Sequence, residues 1–476
     1  MNSPRRRRDV AGVPSWLERV FGDPEERLLS LADVEGLAAR AAAFARGGGE
    51  TSLGATSSWA GELRWALNRA TLASDRRNHE LRVARTIDGA RGGVVTNQID
   101  DVSIEGAVRA AERTLHYDRT NPERIPDKPP RFDYPKTAIW SDATSGQPAD
   151  ERARGVQAII APAEQAGMVS FGFVAVQATG HAIIDPALGD SLYARYTDAQ
   201  CSLTVRDAKG MGSGWAGASS YDWSRIDPHA LAQRALQKCL ASRNPVTIEP
   251  GRYTVILEPQ AVHGLLRYVF AAAAPLTNRG AEHNPRNPFN LRDGMSKLGL
   301  QVTDSRLTIV HDPTDPDLGM VPFLDDGQPL RPITYVDHGL LANLSYMRDY
   351  ALRWLHENLG FPGRLTYRMS GGSSTIDEMI STTPRGLLVT RLSNIDVLDE
   401  RSTLLTGVTR DGLWLIEHGK ISKAVKNLRF TESALAVLNS IEMLGSPEPV
   451  FSPREPAIVP PVKARDFSFT ATIDAI

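Results

Sequence analysis

Residues 251–275, GRYTVILEPQAVHGLLRYVFAAAAP, open on the strand-like run GRYTVIL and pass from Leu257 into a segment that reads as a helix, with Leu265, Leu266, Val269 and Phe270 on one side. The segment holds one histidine, His263, and no carboxylate after Glu258. Whether this helix holds a metal or only packs is the main functional question that the sequence raises.

Around this stretch the texture of the chain changes. From 246 onward strand-like runs recur: LQVTDSRLTIVHDP, ITYVDHGLLANLSYM, GLLVTRLSNI, GLWLIEHGKISKAVK and FSFTATIDA. Asp337-His338-Gly339 and Glu417-His418-Gly419-Lys420 each interrupt an apolar run with a glycine that tolerates positive φ, which predicts two hairpins with surface histidines. Before 246, helices mix with strands. Leu31, Val34, Leu37, Ala41 and Phe44 share a helix face, and a second helix is predicted from Ser103 as N-cap, with Ile104, Ala107, Val108, Ala111 and Leu115 inward. Short strands are expected between Glu62 and Gly93, a proline-rich surface connection over 121–147, and a helix over 148–166. A further helix is opened by Asp227 as cap and Pro228 in its first turn. The expectation is an α+β chain in three parts: a basic tail over 1–28, an α+β domain over 29–245 and a β-rich domain over 246–476.

The chain has 476 residues, too many for one compact core, and its 54 basic and 56 acidic side chains leave a formal charge of −2. That balance provides no field to draw the protein onto nucleic acid or anionic lipid. Two cysteines, Cys201 and Cys239, exclude a disulfide framework and favour a reducing, cytoplasmic setting. The cluster Arg5–Arg8 resembles a twin-arginine signal, but Asp9, Pro14, Glu18 and Arg19 break any apolar region behind it, so it reads as a frayed tail. No run approaches the ~18 apolar residues of a membrane span.

The candidate chemical motifs have simpler readings. No two histidines stand at i, i+4 or i, i+5, so no single helix offers an H-E-x-x-H zinc pair. His263 alone is more simply a packed or capping residue. Asp312, Asp315, Asp317, Asp325 and Asp326 resemble a cation cluster, but neighbouring prolines and the absence of EF-hand spacing favour Asx turns. SGGSS at 370–374 lacks the Gly-Lys-Ser/Thr of a P-loop, and GMGSGWAG lacks the spacing of a serine nucleophile elbow. Cys239 falls beside Leu236 and Leu240, where an inert thiol belongs.

Taken in series, the second half resembles the TldD/PmbA family, which is metallopeptidase-related and in older usage was described as modulators of DNA gyrase. The features run in order: GRYTVILEP leading into a helix, RLTIVHDP followed by PFLDDGQP, ITYVDHGLLANLSYMRDYA, MSGGSSTIDEMISTTPRGLLVT, and GLWLIEHGKISKAVKNLRFTESALAVLNSIEMLG. TIDGARGGVVTNQIDDVSIEGAVRAAERT, in the first half, is similar to the family's N-terminal domain, so the resemblance covers roughly residues 30 to 475.

The resemblance implies a place to look for zinc. The peptidase branch carries His-Glu-x-x-x-His on the helix after the strand matching TVIL, behind a leucine-like pair, and a cysteine near the C-terminus completes its site. With Leu265 and Leu266 as that pair, the slots fall on Arg267, Tyr268 and Ala272. Arginine stays protonated and offers no lone pair, a phenol is a poor substitute for the carboxylate base, and alanine has no donor. His263 lies outside the slots, and no cysteine follows Cys239. The resemblance therefore points to the PmbA, or TldE, branch: a subunit with no catalytic residues and no metal of its own. It would pair with a zinc-bearing TldD-type partner in a cytoplasmic protease for unfolded or leader peptides, forming a hetero-oligomer or homodimer. His263, Arg267 and Tyr268 would line the site, and exposed strand edges in the β-rich domain would hold the extended peptide. Two alternatives remain: a stand-alone metallopeptidase built from scattered histidines such as His263, His283 and His311, and a gyrase-modulator-type regulator.

Overall fold

The computed structural model describes residues 28–119, 133–137, 139–207, 212–271, 284–291, 294–357, 359–361 and 366–473. The Arg5–Arg8 tail, Ala272 and His283 lie outside the described residues. The chain is α+β, as the element pattern predicts.

Six antiparallel strands form the first sheet: β1 (Glu50–Ala66), β2 (Arg69–Ile87), β3 (Ala90–Thr96), β4 (Met168–Ile184), β5 (Leu192–Asp207) and β6 (Ser213–Ser220), in the order β3-β2-β1-β4-β5-β6. The periodicity predicts short strands here, yet β2 runs for 19 residues. The turns explain the length. Leu67-Asn68 and Asp88-Gly89 all take positive φ, the two-residue geometry whose twist matches that of long paired strands. Along β1, Leu53, Ala55, Trp59, Leu63 and Trp65 are buried at a spacing of two, giving one apolar face.

Four helices supply the other side of this core: α1 (Leu31–Phe44), α2 (Asp101–Arg119), α3 (Ala149–Gln165) and α4 (Pro228–Ala241). Ser30 and Asp33 close a capping box on α1, and hydrogen bonds from Ser30 hold the Asp33 carboxyl below the usual range. On α2 the predicted inward residues, from Ile104 to Leu115, are all buried, but Ser103 is not the cap. Asp100 is: its side chain accepts from the Ser103 amide at 3.0 Å, and its carbonyl accepts from the Ile104 amide at 2.9 Å. A carboxylate one residue ahead of the first turn outcompetes a hydroxyl inside it. Asp227 caps α4 as predicted, accepting from the Ala230 amide at 3.0 Å. The 121–147 connection is only partly surface, since Ile139, Thr144 and Gln147 are buried.

The second half builds two more sheets. The strands β7 (Gly251–Leu257), β12 (Arg385–Asp399), β13 (Leu404–Glu417), β15 (Leu428–Ser433) and β19 (Val462–Thr472) pair in the order β12-β7-β19-β15-β13. Because β13 pairs back onto β12, this makes a closed five-stranded ring. To it are attached β14 (Lys420–Ala424) and β16 (Ile441–Leu444). Beside it lies a mixed sheet of β8 (Ile309–His311), β9 (Ile333–Asp337), β10 (Leu340–Leu341), β11 (Tyr367–Met369), β17 (Glu448–Pro449) and β18 (Ala457–Val459). Both predicted hairpins form: His338 and Gly339 take φ 45 and 82, and His418 and Gly419 take φ 50 and 74, with both histidines exposed.

Closure has a consequence for peptide binding. A ring has no edge, so the β-rich half offers fewer free strands than its composition predicts. The long open edge lies in the first sheet, where β3 pairs with β2 only over residues 81–87.

Candidate functional site

The strand β7 hands the chain to helix α5 (Pro259–Leu266), with Pro259 in the first turn, where a missing amide is harmless. Residues Ala261 to Leu266 are all buried, and Gly264 lies against Leu392 and Ile395 of β12. The helix then widens into a π turn, Arg267–Ala271, a local geometry frequent at functional positions.

Two of the three family slots lie on this turn. Arg267 is exposed, and its guanidinium carbon stands 5.8 Å from the centre of the Tyr268 ring. Tyr268 is half-buried, and its hydroxyl donates to the Ile395 carbonyl at 2.8 Å. Ala272, the third slot, lies outside the described residues. A fixed cation and a phenol already committed to a backbone carbonyl do not fit a zinc ion.

His263 points into the core. Its Nδ1 is 2.8 Å from the Tyr367 hydroxyl, and the two rings stack 6.0 Å apart. Burial, reinforced by the Arg267 charge, lowers the imidazole to about 4, while burial pushes the Tyr367 phenol up. At neutral pH the pair is therefore uncharged. His311 is also buried, with Nδ1 3.0 Å from both the carbonyl and the hydroxyl of Thr366. These two histidines thus meet neighbouring residues of the same segment, and His283 lies outside the described residues.

The acidic residues are mostly turn formers. Asp312 accepts from the Thr314 amide at 2.8 Å and Asp315 from the Asp317 amide at 2.9 Å, while Arg368 grips Asp315 through two nitrogens. In SGGSS, the Gly372 amide donates to the Gly445 carbonyl and the Ser374 amide to that of Leu444, so this loop is tied into the fold and is not open as a phosphate nest. Burial raises the Cys201 thiol to about 12 and the Cys239 thiol to about 11, so neither is poised as a nucleophile. Among the described residues, no three His, Cys, Asp or Glu side chains gather as a cation site. Among them, no helix is long and apolar enough to cross a membrane.

The tertiary structure adds one place that no motif marks. Against the first sheet, a cleft of about 510 Å³ is lined by Thr56, Arg82, Arg91, His181, Asp185 and Asp325, among others. Thr56 Oγ1 lies 3.0 Å from His181 Nδ1, and Asp325 reaches Arg82 at 3.2 Å and His181 Nε2 at 3.6 Å. Thr56 and His181 face each other across β1 and β4, 125 positions apart in the chain, so spacing alone could not have found them. The only sequence signal was FLDDG, where Asp326 makes the expected turn to Gln328 and Asp325 instead spans the two halves.

Residues 250–471 match the PmbA/TldA metallopeptidase C-terminal domain, over the ring and the slot-bearing helix just described. The C-terminal half of the chain carries the TldD/PmbA family domain. Over 202 residues it is 26% identical to the metalloprotease TldD homolog of Haemophilus influenzae, a stretch covering 38% of this chain and 41% of that protein. The chain thus aligns with less than half the length of this curated relative. Its fold extends further. TldE from Thermococcus kodakarensis superposes with a TM-score of 0.79 at 17% identity, over 93% of this chain and all of that one. A Thermotoga maritima protein provisionally described as a modulator of a DNA gyrase gives 0.77 at 17% identity, over 92% and 99%.

Proposed function

We propose that this chain is a PmbA/TldE-like, non-catalytic subunit of a TldD-type cytoplasmic metalloprotease that processes unfolded or leader peptides. The observation that carries the reading is the chemistry of two slots: Arg267 and Tyr268 stand where the family's first histidine and its glutamate would stand. A guanidinium cannot ligate zinc, and the Tyr268 hydroxyl is held by Ile395. The remaining histidine of the helix, His263, is directed into the core against Tyr367. In this reading zinc belongs to the partner subunit, and Arg267, exposed beside the Tyr268 ring, faces the shared chamber. The partner performs the hydrolysis, and this chain closes the chamber and helps to hold the peptide.

The stand-alone alternative needs His263, His283 and His311 to converge, and the inward turn of His263 and His311 weighs against it. The regulator alternative rests only on a historical description. Purified alone, the chain is expected to carry well under one zinc per polypeptide and to leave unfolded peptides intact. Cleavage is expected only when a zinc-bearing TldD-type subunit is added. Stoichiometric zinc, or cutting by the isolated chain, sinks the proposal.

A further inference from the structure

We infer that Thr56, His181 and Asp325 form a hydroxyl nucleophile, its base and the carboxylate that positions the base, and that the cleft they line hydrolyses small activated carboxylic esters. This activity goes beyond the partner-subunit reading and needs neither zinc nor a partner chain, so either can fail alone.

All three side chains line the same cleft of about 510 Å³, within the roughly 300–1,000 Å³ typical of small-molecule sites. Thr56 on β1 and His181 on β4 are direct neighbours in register, with Thr56 Oγ1 3.0 Å from His181 Nδ1. On the far side of the ring, Nε2 lies 3.6 Å from Asp325 Oδ1, and Phe323 stacks on the imidazole at 5.5 Å. A carboxylate at Nε2 favours the tautomer that carries its proton there, which leaves Nδ1 unprotonated and able to accept from the Thr56 hydroxyl. Nucleophile, base and orienting acid therefore stand in the order that acyl transfer requires, and long contacts of this kind tighten around a substrate. Gly54, two residues before Thr56 on the same face of β1, gives the floor: beyond its chain neighbours, a Cβ there would come no nearer than 3.8 Å to another atom. Beside that floor stand Arg82 and Ile183, the partners of Gly54 on β2 and β4, and Leu188 and Met347 add apolar wall for a short acyl group.

Hydrolysis balances with these groups and water alone. Thr56 Oγ1 bonds to the ester carbonyl carbon as its proton passes to His181 Nδ1; the carbon–oxygen bond to the leaving alcohol breaks, and the alcohol departs with that proton. Water then attacks the acyl-threonine and gives a proton to Nδ1, and the carboxylic acid leaves as that proton returns to Thr56 Oγ1. The substrate class follows from what can stabilise the oxyanion. Around Thr56, β1 is paired on both sides, so its amides are committed to the ladder and offer no oxyanion hole. The developing charge falls to Arg82, held at the site by Asp325 at 3.2 Å. One guanidinium supports the departure of a weakly basic alkoxide or phenolate but not of an amine, so amides and peptides are not substrates.

The test incubates the full chain with p-nitrophenyl acetate in the presence of a metal chelator, reading phenolate release and mapping acetylated peptides by mass spectrometry. The wild type is expected to turn over and to carry acetyl on Thr56. T56V, which removes only the hydroxyl, and H181N are each expected to lose about a hundredfold in rate. D325N is expected to cost about tenfold and to move the half-maximal pH downward, because the imidazolium loses its counter-charge. G54V leaves hydroxyl and imidazole in place and is expected to raise KM about tenfold by filling the floor. Thermal unfolding establishes that the variants are folded. No acetyl on Thr56, a T56V or H181N rate equal to that of the wild type, an unmoved pH profile in D325N, or an unchanged KM in G54V would each overturn the inference.

Discussion

At the scale of single residues, His263 decides how the slot-bearing helix is read. A histidine that is almost fully buried and lowered to about 4 is neutral when folded but takes up a proton near 6.5 when unfolded. Its folded value is the lower one, so the unfolded chain binds more protons between these limits and stability falls as pH drops from about 6.5 towards 4. The interval corresponds to about 3 kcal/mol at most. His263→Leu should flatten this part of the pH profile while losing about 1–3 kcal/mol at pH 7, because the Tyr367 hydroxyl is left buried and unpaired. Denaturant titrations at pH 7 and pH 5 check it. A variant that keeps the full wild-type slope would show that the titration belongs to other groups. The same buried geometry explains why a histidine on an apolar helix face is a poor indicator of metal: it bonds to a phenol that only the fold brings near.

At the scale of elements, the strongest sequence signals were local chemistry. The two hairpins were legible because a two-residue turn with positive φ at both positions strongly prefers glycine at the second. A Cβ on Gly419 would meet the Ser381 carbonyl oxygen at 2.5 Å, on a backbone that already disfavours one. Gly419→Ala should therefore cost about 2 kcal/mol, whereas His418→Asn should be neutral or slightly stabilising, since asparagine tolerates that conformation. Thermal unfolding of the two variants measures the contrast; equal effects would mean that the turn is not the constraint. Legible in the same way were α1, α4 and the inward face of α2, each set by a 3.6-residue period. The N-cap of α2 was not, because Asp100, Asp101 and Ser103 all suit a cap and only the chain's path chooses among them. Strand lengths in the first sheet were also hidden. Their outward positions carry Gly, Ala, Thr and Arg, a pattern that could equally be loop.

Across the whole molecule, the two halves are joined by polar and aromatic contacts that no local pattern contains. Asp411, fully buried, accepts from Ser213 of β6 at 2.5 Å and from the Arg391 Nε at 2.8 Å, while the Arg391 guanidinium stacks 4.8 Å from the Trp215 ring. Nearby, Phe451 packs edge-on against Trp215 and Phe173. Asp411→Asn keeps the shape and the positive φ but removes the charge facing Arg391. It should destabilise the protein by about 2 kcal/mol with little dependence on salt, because the pair is largely shielded from water. Chemical denaturation at two ionic strengths checks this, and a shift below about 0.5 kcal/mol would show that the bridge carries little of the junction. By itself the sequence determined the α+β class, the main helices and hairpins, the family resemblance and the non-ligating side chains at Arg267 and Tyr268. These depend on residue identity and short-range periodicity, which the chain carries locally. Only the tertiary structure decided the closure of the barrel, the inward turn of His263, the Thr56, His181 and Asp325 cleft, and the open edge of β2. Each is a pairing between distant segments, and its geometry exists only once backbone hydrogen bonds and buried surface have brought those segments together.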